Sequence, residues 1–137
     1  MQLEVLARAS VAGKEGYPVE VTTSETVKLS FDKVWPALLG DLKSGVKHET
    51  ISARFHQGLI DGLARSLSVA GARPSGKVVL SGGVFQNAFL RDGLTEKLET
   101  DSYTVLNHKS VPANDGGLAL GQAVIAANLQ APSTFDD

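Results

Sequence analysis

The sequence predicts an α/β layered domain, and three observations carry that expectation. Two short apolar runs, Lys77-Val78-Val79-Leu80 and Tyr103-Thr104-Val105-Leu106, each lead towards a helical pattern, and strand, helix, strand, helix is the grammar of an α/β sheet. A long amphipathic helix precedes them. The chain has 137 residues, 42% hydrophobic and 20% charged, which suits one folded domain with a modest core.

Taken in order, the opening Gln2-Leu3-Glu4-Val5-Leu6-Ala7 already has helical spacing, with no capping residue before it. Either a chain cut from something longer or a short N-terminal helix that frays fits that start. Residues 11–18 read as a loop with two glycines and a proline. Residues 17–22 and 27–31 alternate apolar and polar side chains around Thr22-Thr23-Ser24-Glu25, which predicts a hairpin. Ser30 is placed to cap a helix over 31–43, with Pro36 tolerated near its first turn and Gly45 ending it. The longest helix is expected over 49–70. There Ile51, Phe55, Leu59, Leu63 and Leu67 recur every four residues, and Ile60 and Ala64 widen the stripe. Gly71 and Pro74 close it. Lys77-Val78-Val79-Leu80 reads as a strand buried on both faces. A helix over 86–98, a strand over 103–106, a loop over 111–117 and a small-residue helix over 118–129 follow. Residues 130–137 read as a polar tail, so the domain is expected over 1–129.

Composition narrows the function classes. The formal net charge is −2, without a Lys/Arg run, which argues against nucleic-acid binding. There is no cysteine, hence no disulfide, thiolate metal site or cysteine nucleophile in this sequence. No apolar run reaches membrane-spanning length and no signal segment opens the chain, so a cytoplasmic protein without a membrane partner is expected.

Two glycine turns are the candidates for chemistry. In Ser81-Gly82-Gly83-Val84-Phe85-Gln86-Asn87 a strand ends in two glycines and runs into a helix. Glycine lets a ligand approach the backbone, and helix amides with the positive end of the dipole favour phosphate. Ser81 and Asn87 can add side-chain hydrogen bonds. A tight turn that needs glycine for steric reasons alone gives the same pattern. In Asn114-Asp115-Gly116-Gly117, Asp115 is placed to cap the last helix. If phosphate binds there instead, a carboxylate beside it needs a cation between them, which would make Asp115 a metal ligand. Gly121 inside that helix costs about 1 kcal/mol relative to alanine, a cost that close packing would justify. His48, His56 and His108 show no paired spacing. His56 reads as a hydrogen-bonded, partly buried histidine, and no catalytic base is assigned.

Together these residues resemble the C-terminal end of the [NiFe]-hydrogenase maturation carbamoyltransferase family, HypF. Ser81 to Asn87 by the letters SGGVFQN, Val111-Pro112, Asn114-Asp115-Gly116-Gly117 and Leu120-Gly121-Gln122 carry the likeness, and Ala53-Arg54-Phe55-His56 and the opening residues fit the same stretch. The resemblance implies the second half of an actin-like ATPase domain of ribonuclease H-like type, a mixed sheet flanked by helices. It implies that Ser81, Gly82, Gly83 and Asn87 cradle ATP or carbamoyl-adenylate, with Gly116 near the phosphate. It implies that Asp115 binds a divalent metal, iron or magnesium. Carbamoyl phosphate and ATP would supply the carbamoyl group, and the acceptor would be the C-terminal cysteine of a partner, HypE. O-carbamoyltransferases and tRNA threonylcarbamoyl-transferring enzymes are related alternatives, as is a non-catalytic interaction module of the same half-fold. The family's zinc-finger cysteines, its other domains and the first half of this one are not in the sequence. The resemblance therefore implies an inactive fragment with an apolar surface prone to self-association.

Overall fold

The computed structural model describes residues 2–10, 15–72, 76–108, 111 and 115–130. The α/β class holds, but the strands form two small sheets, one antiparallel and one parallel. Helix α1, Gln2–Ala9, lies against the long helix and buries Ala7. Strands β1, Glu20–Thr23, and β2, Val27–Ser30, form the expected hairpin, with Val21 opposite Leu29. The first strand starts later than 17 because the preceding segment straps across the long helix instead. The Tyr17 amide donates to the Arg54 carbonyl at 3.0 Å, and Arg65 donates to the Val19 carbonyl. The strap lies so close that a Cβ added at Gly58 would run into the Tyr17 backbone.

Helix α2, Val34–Lys43, begins three residues later than expected. Ser30 does not cap it. Its hydroxyl donates to Asp32 Oδ2 at 2.9 Å and accepts from the Asp32 amide at 3.2 Å. Those local bonds hold a turn that competes with helix at that point. Helix α3, His48–Val69, matches its expected span, but its most buried line differs. Ser52, His56, Ile60 and Ala64 are buried, while Phe55, Leu59, Leu63 and Leu67 are only partly so. The helix packs on α1 and the later helix α4 along one side and on the hairpin along another, so no single stripe describes it.

Strand β3, Lys77–Leu80, and strand β4, Thr104–Asn107, pair in parallel, with Leu80 beside Asn107. Helix α4, Ala88–Thr100, connects them. Its Leu90, Leu94 and Leu98 meet Ile60, Ala64, Leu80 and Tyr103 in the main core. A second core under the strap joins Tyr17, Val19, Val34 and Ile51. Burial of β3 on both faces is not found: Val79 is 63% exposed and Leu106 45%. Among the described residues one face of this two-stranded sheet is uncovered around Val79 and Leu106. Helix α5, Leu118–Gln130, packs mainly on the turn before it and exposes Leu120, Val124, Ile125 and Leu129. A side chain added at Gly121 would meet open space, so among the described residues no close packing accounts for that glycine. Residues 131–137 of the expected tail lie outside the described residues, as does Pro74. Among the described residues no helix is long and apolar enough to cross a membrane.

Candidate functional site

The first glycine turn leaves the C-terminal end of β3, where open parallel sheets gather ligands. Gly82 has φ 110° and ψ 155°, a conformation that side chains make costly. A Cβ at Gly82 or Gly83 would meet nothing within 4 Å, so packing does not require these glycines. A 3₁₀ turn, Gly83–Gln86, follows, in which the Phe85 amide donates to the Gly82 carbonyl at 3.1 Å. Among the described residues the amides of Gly82, Gly83 and Val84 have no hydrogen-bond partner. The backbone thus presents three adjacent donors in open space, a nest suited to an anion.

The start of α4 is different from expectation. The 3₁₀ turn delays the helix to Ala88, and its first amides are already taken. Asn87 Oδ1 accepts from the Leu90 amide at 3.1 Å, and Glu4 Oε1 from the Ala88 amide at 3.1 Å. Burial raises the Glu4 pKa, but the Arg8 guanidinium and the amides of Ala88 and Phe89 outweigh it and hold this carboxyl below its ordinary value. An anionic side chain therefore already complements the α4 dipole, and the amides still open to an anion are those of residues 82–84. Nothing in the sequence signals Glu4, because its partner lies 84 residues away.

Asn87 also donates from Nδ2 to His56 Nε2 at 2.8 Å, and His56 Nδ1 bonds the Ser52 carbonyl at 2.8 Å. His56 is the buried, hydrogen-bonded histidine expected, edge-on to Phe89 at 5.3 Å. A second polar cluster holds the strap. The Tyr17 hydroxyl and Arg54 both donate to Asp41 Oδ2, at 2.7 and 2.6 Å. These two bonds hold the Asp41 carboxyl below its ordinary value, while burial and then Asp41 push the Tyr17 hydroxyl up. That gives Arg54 a structural place that the sequence did not single out.

His108 is the residue that sequence reasoning passed over. It follows β4 as Ser81 follows β3, and its Nε2 lies 3.1 Å from Ser81 Oγ. The parallel pairing is what brings the two strand ends together, and a polar residue just past a strand was the available signal. Ser81 and His108 line an open groove of about 660 Å³ with Val111, Gly117, Leu118 and Gly121. The two glycine turns therefore flank one groove. Asp115 opens a 3₁₀ turn, Asp115–Gly117, so two residues separate it from the start of α5 and the direct cap is not formed. Asp115 and Gly116 are exposed at the turn, and Asn114 lies outside the described residues. Among the described residues no three His, Asp or Glu side chains cluster to hold a metal ion. Asp115 fits a metal as one oxygen ligand, and the described residues do not complete a coordination shell.

A strap-bound helical layer on a parallel β3–α4–β4 unit, with ligand-open amides at the strand ends, defines an actin-like ATPase type of subdomain. The family description "Carbamoyltransferase, Kae1-like Domain, second subdomain" matches residues 1–122, and the chain belongs to that family. Carbamoyltransferase HypF of Synechocystis sp. is 29% identical over 120 residues, covering 86% of this chain and 15% of that protein. Carbamoyltransferase HypF of Rhodobacter capsulatus is 38% identical over 89 residues, 63% of this chain and 12% of the relative. The chain thus spans a small part of the relatives it matches. A crystal structure of full-length HypF in its phosphate- and nucleotide-bound form superposes with a TM-score of 0.83 at 32% identity, covering 98% of this chain and 18% of that one. HypF of T. kodakarensis shares the fold, with a TM-score of 0.73 at 22% identity over 91% of this chain and 16% of that one.

Proposed function

We propose that this chain forms one wall of the nucleotide site of a carbamoyltransferase acting in [NiFe]-hydrogenase maturation. The observation that carries the reading is the open amide nest at residues 82–84, at the end of a parallel strand in a chain of this family. The full-length HypF on which this chain superposes was crystallised in a phosphate- and nucleotide-bound form, which supports a nucleotide ligand here. Gly82 and Gly83 offer backbone amides to the phosphate, and Ser81 adds a hydroxyl beside His108. Asn87 completes the cradle by fixing its end, and Gly116, next to the groove-lining Gly117, lies near the phosphate in this reading. Asp115 contributes one ligand to a divalent metal whose other ligands lie outside the described residues; when bound, the metal supplies charge against phosphate.

In this reading carbamoyl phosphate and ATP provide carbamoyl-adenylate, and the domain holds it for transfer. The acceptor is the C-terminal cysteine of HypE: its sulfur attacks the carbamoyl carbon, the bond to the adenylate oxygen breaks, and AMP leaves with the thiol proton passing to solvent. The exposed apolar residues of β3, β4 and α5 support a surface covered by the rest of the domain, and the chain alone self-associates through it. The test is ATP- and carbamoyl-phosphate-dependent carbamoylation of HypE by the complete protein, with Asp115→Ala beside it. The expected result is transfer by the wild type, and lower metal content with lost transfer in the variant. Unchanged metal and transfer in Asp115→Ala contradict the role given to that residue, and transfer to a hydroxyl or tRNA acceptor alone points to the related enzymes.

A further inference from the structure

The start of α4 closes a hydrogen-bonded circuit through three helices. Ser52 Oγ on α3 donates to the Leu3 carbonyl on α1 at 2.6 Å. The Ser52 carbonyl faces His56 Nδ1 at 2.8 Å, and His56 Nε2 faces Asn87 Nδ2 at 2.8 Å. Next to Asn87, the Ala88 amide donates to Glu4 on α1, one residue from Leu3. Ser52 and His56 are 2% and 4% exposed, so water does not substitute for these partners.

The partners also fix the direction of each bond. A carbonyl only accepts, so Nδ1 carries the ring proton and Nε2 accepts. The Leu90 amide claims Asn87 Oδ1, so the amide nitrogen is what faces the ring. Capping α4 requires only that oxygen. The bond to His56 goes beyond a cap, and it grips the residue whose own amide closes the 3₁₀ turn on the Val84 carbonyl at 3.1 Å.

We propose that His56 is a positioning residue of the nucleotide cradle: through Asn87 it sets where the turn presents the amides of Gly82, Gly83 and Val84 to phosphate. The proposal rests on the nucleotide reading given above. Around the imidazole, α1 brings the charged groups Glu4 and Arg8, which pair with each other. Helix α4 and the histidine's own helix present the rings of Phe89 and Phe55.

The test uses the complete protein with Asn87→Ser and His56→Phe. The first variant keeps an oxygen for the Leu90 amide and is about as good a cap, but its shorter side chain cannot also donate to Nε2. Calorimetry with ATP should show affinity lower by roughly tenfold near pH 7.5. His56→Phe, which removes the ring nitrogens, should be about as weak. Without nucleotide, amide exchange at residues 82–87 should quicken in the same variants under the same conditions. Wild-type affinity in Asn87→Ser overturns the proposal, as does a loss of affinity with exchange unchanged. If the wild type binds no ATP, the nucleotide reading fails, and the exchange measurement alone decides whether His56 positions the turn.

Discussion

The two glycine turns look alike in sequence and are built differently. The turn at 81–87 ends β3, sits beside the main core and is gripped at Asn87 by both α3 and α4. The turn Asp115–Gly117 leads into a helix that leaves Leu118, Leu120, Val124, Ile125 and Leu129 exposed. The helices behind them repeat the contrast: α4 buries Leu90, Leu94 and Leu98, and α5 buries none of its described residues. A pre-organised turn presents its donors without further ordering, whereas an unsupported one must be ordered by whatever packs on it. The first turn is thus pre-organised by the described residues, and the second is not.

Core substitutions put the greatest pressure on this contrast. Leu98→Ala, at a fully buried position, should cost about 2–5 kcal/mol in denaturant unfolding of this chain. Leu129→Ala, at an 81% exposed position, should change stability by less than about 0.5 kcal/mol. Equal effects would abolish the distinction.

A matched pair of glycine substitutions refines it, because the signs should differ. In α3 a Cβ at Gly58 would run into the Tyr17 carbonyl oxygen, backbone of the strap rather than a side chain that can swing aside, so Gly58→Ala should destabilise by about 1–3 kcal/mol even after its gain in helix propensity. In α5 the same change at Gly121 meets open space and should stabilise the helix by up to about 1 kcal/mol. Thermal unfolding and amide exchange in α5 read both. A loss at Gly121 in the complete protein, beside a gain in this chain, would locate the missing surface on that face.

The smallest effect concerns acid. The Asp41 carboxyl is held below its ordinary value by Tyr17 and Arg54, so it favours the folded state. That contribution is present above the unfolded carboxylate value, about 3.9, and is lost as pH falls through the lower folded value. Asp41→Asn should therefore lower stability at neutral pH and flatten the acid limb below about pH 4. An unchanged acid limb would show that the strap does not depend on this cluster.

Much of the fold was legible in the sequence. The hairpin, α3 and the β3–α4–β4 order followed from periodicity and turn residues, which are local signals. Side-chain environments were less legible. The Leu59-Leu63-Leu67 line was the obvious stripe, yet α3 packs on several elements and buries Ser52 and His56 more deeply. Val79 looked like a two-sided core residue because apolar composition does not reveal whether the second face is covered. At the site, the glycines announced the 81–87 turn. Glu4 over the α4 amides and His108 beside Ser81 did not show, since both contacts join residues far apart in the chain.

Whether the backbone at residues 82–84 receives the nucleotide phosphate is decided by titrating ATP into the complete protein and into Gly82→Ala by calorimetry. The left-handed φ of Gly82 makes any side chain there costly. The variant should turn the amides away and weaken binding by tenfold or more, on the order of 1–3 kcal/mol of strain, without loss of the fold. Wild-type affinity in Gly82→Ala would contradict a phosphate site on these amides.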